Sequence, residues 1–191
     1  MAVHPHRFII TGGPGSGKST LLAALRADGW PCFDEVSRAI IGEQTGRGGQ
    51  LYPWVDLAGF ATECEVRMRR QVLEAAKYSV SFFDRGLPDL VAYLRHGGLE
   101  PNPELRADAR NCAPLTFLAT PWPEIYCNDA ARPQSFAEAE AICVQIRRAY
   151  AECGITLCEL PCASVEQRLQ FVRQRVEEFI APMRPRPPVS V

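Results

Sequence analysis

Gly12-Gly-Pro-Gly-Ser-Gly-Lys18-Ser19-Thr20 is the stretch that decides how this chain is read. Its spacing, G-x-x-x-x-G-K-[ST], is that of a glycine-rich turn that wraps backbone N–H groups around a polyphosphate. Arg7-Phe-Ile-Ile-Thr11 before it is a short apolar run, and Leu21, Leu22 and Leu25 after it recur at helical spacing up to Gly29. Strand, glycine loop and helix stand in the order a phosphate cradle needs. Gly13, Pro14, Gly15, Ser16, Gly17, Lys18, Ser19 and Thr20 are therefore the expected nucleotide-binding residues. The helix start adds its positive dipole end, Lys18 reaches the β- and γ-phosphates of ATP or GTP, and the Ser19 hydroxyl binds Mg²⁺. A glycine turn without a ligand is the alternative, and so glycine-rich a loop is costly in backbone entropy.

Outward from the loop, strand and helix signals alternate, which predicts an α/β fold with a five-stranded, mainly parallel sheet. A second strand is expected around Trp30 to Phe33, then a helix through Val36, Ala39 and Ile40. The glycine-rich run from Gly42 to Gln50 reads as a break and a mobile loop. Leu57, Phe60, Cys64, Met68, Val72 and Ala75 make Asp56 to Lys77 a long helix. Tyr78 to Phe83 is a strand halted by Asp84-Arg85-Gly86, and Pro88 suits the first turn of a helix ending near Gly97-Gly98. A helix from about Pro103 precedes the strand Leu115 to Ala119, and Thr120 to Pro133 reads as a loop or lid. Ser135 with Glu138 and Ser164 with Gln167 fit capping boxes that open two further helices. Between them Ile155 to Leu160 is a strand. Residues 1–180 read as a single domain and the proline-rich 181–191 as a disordered tail.

Composition sets the frame. The chain has 191 residues, enough to bury a core without disulfides or metal. Twenty-one Lys and Arg against 22 Asp and Glu leave no broad basic footprint for nucleic acid or anionic lipid. The eight cysteines form no Cys-x-x-Cys pair with a nearby His, so they read as reduced, apolar thiols. No apolar run approaches the roughly 20 residues of a membrane span, and no signal peptide is evident. A cytoplasmic protein is expected.

A phosphoryl-transfer site needs an acid on a neighbouring strand to hold the metal shell, and Asp84 after Ser81-Phe-Phe is the candidate. A turn or N-cap residue is the alternative. Arg85 would neutralise phosphate charge or pair with Asp84. The strand lacks the Asp-Glu pair of AAA+ hydrolases, and no Asn-Lys-x-Asp guanine signature occurs.

Several stretches together resemble one family, the small P-loop group that contains the nicotinamide riboside kinase domain of bifunctional NAD-biosynthesis regulators and AAA-labelled proteins. They are Thr11 to Thr20, Glu35 with Arg38, Phe83-Asp-Arg-Gly-Leu-Pro-Asp89, Pro121-Trp-Pro-Glu-Ile-Tyr126, Arg132-Pro-Gln-Ser-Phe136 and Glu159-Leu-Pro161. The resemblance implies a nucleoside and nucleotide kinase-like three-layer fold with an acceptor cleft and a lid. It further implies that Glu35, just past the second strand, accepts a proton from the acceptor hydroxyl or orients it. A first-turn acid favoured by the helix dipole is the other reading; Asp34 competes for the role but better suits an N-cap. Arg38 would hold an acceptor anion or pair at the surface, and Arg70, with Arg67, would close the cleft or stay solvated. Arg132, preceded by Ala131 where relatives often carry a second basic residue, would reach the transferring phosphate from the lid. The loop Pro161 to Ser164 is where the resemblance places adenine.

Two functions follow as expectations. One is Mg²⁺-dependent phosphoryl transfer from ATP or GTP to a small hydroxylated or phosphorylated acceptor. The other is a nucleotide-binding switch or slow NTPase without an acceptor. The acceptor and the oligomeric state stay open.

Overall fold

The structure, a computed structural model, describes residues 6–126 and 135–181. Its centre is a five-stranded sheet built from β1 (His6–Gly12), β2 (Cys32–Phe33), β3 (Val80–Asp84), β4 (Leu115–Ala119) and β5 (Thr156–Glu159) in the order β2-β3-β1-β4-β5. Every pairing is parallel, with Ile10 opposite Asp84 on one side of β1 and Gly12 opposite Ala119 on the other. The helices are α1 (Lys18–Ala27), α2 (Val36–Arg47), α3 (Leu57–Ala75), α4 (Leu87–His96), α5 (Pro103–Arg110), α6 (Phe136–Glu152) and α7 (Val165–Ile180).

Successive side chains of a strand point to opposite faces, and β1 divides its residues accordingly. Phe8 and Ile10 pack with Leu21, Leu25, Phe82, Phe117 and Val172, in the layer formed by α1 and α7. Ile9 packs with Phe83 and Leu118 against residues of α2 through α6. Both faces are covered, which explains why the strands read as continuous apolar runs rather than alternating ones. The three-layer α/β architecture is the expected P-loop fold. It places the strand ends, and the loop after β1, along one edge of the sheet.

Local signals behave as the sequence predicts at most helix starts. Asp56 accepts from the Gly59 N–H at the head of α3, Pro88 lies in the first turn of α4, and Ser135 and Ser164 form capping boxes. Strand and helix ends are trimmed: β2 is two residues, β3 starts at Val80 and α3 stops at Ala75. Asp34 does not cap α2. The cap position is Glu35, and the Asp34 carboxylate instead pairs with Arg26 at 2.7 Å.

The break expected from Gly42 is corrected. α2 runs through Gly42 and Gly46 to Arg47 and ends at Gly48, whose φ of 65° is a left-handed stop. Long-range contacts outweigh the glycine penalty: Ile40 and Gln44 are buried, and the Gln44 side-chain oxygen accepts from the Leu51 N–H at 3.3 Å. A Cβ at Gly42 or Gly46 would meet no atom within 4 Å, and neither has a positive φ. Replacing both by Ala is therefore expected to raise stability by about 1 kcal/mol, read as a higher urea midpoint. A lower midpoint would mean that this stretch is not helical in solution.

Among the described residues no helix is long and apolar enough to cross a membrane. The described cysteines are free, and burial pushes the thiols of Cys64 and Cys112 up to about 12, which makes them inert packing groups. The tail read as disordered lies, from residue 182 on, outside the described residues.

Candidate active site

The loop leaving β1 is shaped by steric necessity. Gly12 has a φ of 138°, and a Cβ there would sit 2.0 Å from the Ala119 carbonyl oxygen on β4, so no larger residue fits. Gly17 then opens α1 with a φ of 79° and no side-chain cap. Helix starts leave N–H groups without intrahelical partners, and here those of Gly17, Lys18, Ser19 and Thr20 meet no protein acceptor among the described residues. The amides remain free for an anion.

Lys18 is buried and folded onto its own loop. Its Nζ donates to the carbonyls of Gly12 at 2.9 Å and Gly13 at 2.7 Å, while the Ser16 hydroxyl donates to Gly13 at 2.8 Å. Burial, with the Arg85 charge next, lowers the Lys18 ammonium to about 8. A phosphate would replace two neutral acceptors by charged ones and reverse that shift.

Asp84 ends β3 beside the loop, buried, with Oδ1 bonded to nothing among the described residues. Burial pushes its carboxyl up to about 6, against the pull of Lys18. An orphaned buried carboxylate oxygen is a donor atom suited to a hard cation. Ser19 adds an exposed hydroxyl in the first turn of α1. Among the described residues no group of three or more His, Cys, Asp or Glu could hold a metal by itself. The orphaned Asp84 oxygen and the Ser19 hydroxyl fit Mg²⁺, which is bound by one or two protein groups plus substrate phosphates.

Arg85 is the one non-glycine residue with positive φ among those described, at 72°, and the strain is held by its N–H bond to the Ile10 carbonyl at 3.1 Å. Its side chain spans the site. Nε donates to Glu35 at 2.9 Å, and Nη1 donates to the Gly12 carbonyl at 3.1 Å and to Asp89 at 3.4 Å. Arg85 therefore pairs with Glu35 and Asp89, in place of the pairing with Asp84 that adjacency suggested. Burial alone would raise the Glu35 carboxyl, but the charge of Arg85 and a hydrogen bond from Ser37 hold it down at about 2.

Asp89 was present in the quoted motif but carried no role in the sequence reading. It is buried and accepts from Thr11 at 2.5 Å, Tyr150 at 2.6 Å and the Gly86 N–H at 2.9 Å, joining β1, α4 and α6 behind Arg85. The visible signal was its place three residues into a helix, which looks like a cap. Arg168 was also missed; it touches the back of the phosphate loop.

The other candidates fare unequally. Arg38 is exposed and 3.8 Å from Glu35, at the rim of the site. Arg70 is not brought in: its side chain is 82% exposed and pairs with Glu74 one turn along α3. Arg67 is occupied by Glu43 and Glu63, both at 2.6 Å. Arg132 and the tip of the expected lid lie outside the described residues.

With this geometry in place, the chain can be set beside known proteins. A family model described as an AAA domain matches residues 7–168. Solved structures with the same fold include an NadR protein in complex with NR, at a TM-score of 0.65 and 15% identity over 92% of this chain and 50% of that one. Deoxyadenosine kinase from M. mycoides matches at 0.57 and 12%, covering 91% of this chain and 99% of that one. Shikimate kinase from Acinetobacter baumannii, in complex with shikimate, matches at 0.54 and 14%, covering 95% and 96%. The chain spans about half the length of the NadR structures. No curated protein matches it.

Proposed function

Since the chain belongs to this AAA-domain family of P-loop proteins, we propose that it transfers the γ-phosphoryl group of ATP to a small hydroxylated acceptor, a nucleoside or a related molecule. One observation carries the reading: Glu35, Arg85, Lys18 and Asp84 converge on one loop whose amides are free. Support comes from the solved kinases of the same fold, whose acceptors are small hydroxylated molecules. Residues 1–180 would act as one unit in the cytoplasm.

Phosphoryl transfer asks the protein for positioning and charge neutralisation rather than covalent chemistry. In this reading Lys18 exchanges its loop carbonyls for phosphate oxygens, the amides from Gly17 to Thr20 hold the chain of phosphates, and Arg85 fixes Glu35. Asp84 and Ser19 would hold Mg²⁺, which neutralises charge on the β- and γ-oxygens when bound. GTP in place of ATP leaves these duties unchanged. With its carboxyl at about 2, Glu35 is ionised at every physiological pH but is a feeble base. It is better suited to accept the acceptor's O–H as a hydrogen bond and aim its oxygen, the proton passing late, in a loose transition state, to an oxygen of the transferred phosphoryl group as ADP departs.

A nucleotide switch or slow NTPase is the second reading: Arg70 pairs with Glu74 away from the site, so α2 and α3 offer a phosphorylated acceptor only the exposed rim cation Arg38. ADP release from wild type and Glu35→Gln, with and without a panel of nucleosides, nucleotides and vitamins, separates the two. The kinase reading expects stimulation of wild type by one acceptor class and a loss of about a hundredfold in the variant, with ATP affinity kept. Absence of stimulation across the panel would leave the switch.

A further inference from the structure

Arg168, on α7, is a cation in an unusual place. Its side chain is buried, with 3% of the residue exposed, yet no carboxylate pairs with it among the described residues. Nε donates to the Pro161 carbonyl at 2.8 Å and Nη1 to the Ser16 carbonyl at 2.8 Å, 152 residues away. Nη2 is buried and bonded to nothing among the described residues, and the Trp122 ring covers the guanidinium at 5.3 Å. The contact with the loop is close enough that a Cβ on Gly17 would lie 2.9 Å from Nη1. Burial lowers the guanidinium, and the side chain that offsets it is that of Cys162, through a hydrogen bond, not a carboxylate.

A buried charge without a counter-ion is expensive, and two carbonyl dipoles are modest compensation. What they accomplish is geometric. In a trans peptide the carbonyl and the N–H point in opposite directions, so drawing the Ser16 oxygen back toward α7 turns the Gly17 N–H to the opposite, inner side of the loop. That N–H is the first of the free amides at the head of α1.

We propose that Arg168 is the positioning residue of the phosphate nest: it locks the Ser16–Gly17 peptide with its N–H inward, and the bound polyphosphate supplies the counter-charge that the guanidinium lacks. The inference rests on the polyphosphate-binding part of the proposed function. It extends that reading by making the same arginine tie the loop after β5, at Pro161, to the loop after β1.

The test is calorimetric titration of wild type, Arg168→Gln and Arg168→Lys with MgATP and with magnesium tripolyphosphate, which has no base. Both variants are expected to lose at least tenfold in affinity for both ligands, by the same factor, because the defect lies in the amide nest. In wild type the Gly17 amide proton should move downfield on adding tripolyphosphate, and that shift should shrink in the variants, a readout that a merely structural arginine would not move. Should Arg168→Gln fail to fold, Arg168→Lys decides, since it keeps the charge but lacks the rigid planar fork that fixes the two carbonyls relative to each other. Loss confined to MgATP would assign Arg168 to the base alone and overturn the proposal, as would unchanged tripolyphosphate affinity. If wild type binds neither ligand, the nucleotide reading itself fails, which is a different result.

Discussion

Lys18→Ala is expected to abolish measurable triphosphate binding and to lower any turnover by at least about a hundredfold, without lowering the melting temperature at neutral pH. The first half follows from position. Lys18 Nζ is the one charged group between Gly12 and Thr20, and it rests on the carbonyls of Gly12 and Gly13. Removing it leaves the Gly12 carbonyl still bonded to Arg85, so the loop keeps a brace while losing its phosphate ligand.

The second half follows from linkage. Burial first, and Arg85 next, bring Lys18 from 10.5 down to about 8. Between those values the unfolded chain binds more protons than the folded one, so stability rises with pH across the window. Below about pH 8 the folded protein carries the whole penalty of a buried ammonium, and alanine relieves it. Isothermal calorimetry with ATP and thermal melts at pH 7 and pH 9 check both halves. Retained ATP affinity, or a wild-type melting temperature that falls between pH 8 and 10, would count against the assignment of Lys18.

What could be read in advance was what lay close together in the chain. The loop from Gly12 to Thr20, the strands flanking it and the capping boxes at Ser135 and Ser164 depend on neighbours within a few residues. Asp89 shows the limit. Its capping bond to the Gly86 N–H is three residues long, but its bonds from Thr11 and Tyr150 span 78 and 61 residues. Nothing in the local pattern distinguishes a cap from a strut. Arg168 is harder still. It falls at the edge of the apolar stripe of Val165, Leu169, Val172, Val176 and Phe179, three residues after Val165 and four before Val172, but a guanidinium is seldom buried, and this one is buried because the phosphate loop comes to rest on it. Arg70 is the converse, a cation whose spacing from Arg67 suggested a shared face but whose side chain the helix turns toward solvent. Helix α2 persists through two glycines because Gln44 and Ile40 are anchored from outside the helix. For Asp89, Arg168 and α2 the deciding energy comes from tertiary contact, and in α2 it outweighs glycine penalties of about 1 kcal/mol.

Asp84→Asn is expected to make the nucleotide-free protein more stable and to remove Mg²⁺-dependent turnover, two effects of opposite value from one oxygen. Burial lifts the Asp84 carboxyl from 3.8 to about 6, the charge of Lys18 notwithstanding. Between those values the folded state binds the extra proton, so stability falls as pH rises through the window and the penalty is complete above about pH 6. A rise of that size corresponds to roughly 3 kcal/mol at pH 7, and an amide escapes it because it never ionises. The neutral side chain also gives up the anionic oxygen that has no partner among the described residues, so the metal loses its protein carboxylate and transfer should drop by at least about a hundredfold. Raising Mg²⁺ should not restore it. Wild-type Mg²⁺ affinity, in turn, should weaken as the pH is lowered through 6, because a proton then competes for the same oxygen. Melts at pH 5 and pH 8, paired with Mg²⁺ titrations of turnover, separate the outcomes: the stability gain of the variant should be larger at pH 8. A variant that melts lower than wild type at pH 8, or that keeps its Mg²⁺ response, would show that Asp84 is a structural turn residue and that the metal is held elsewhere.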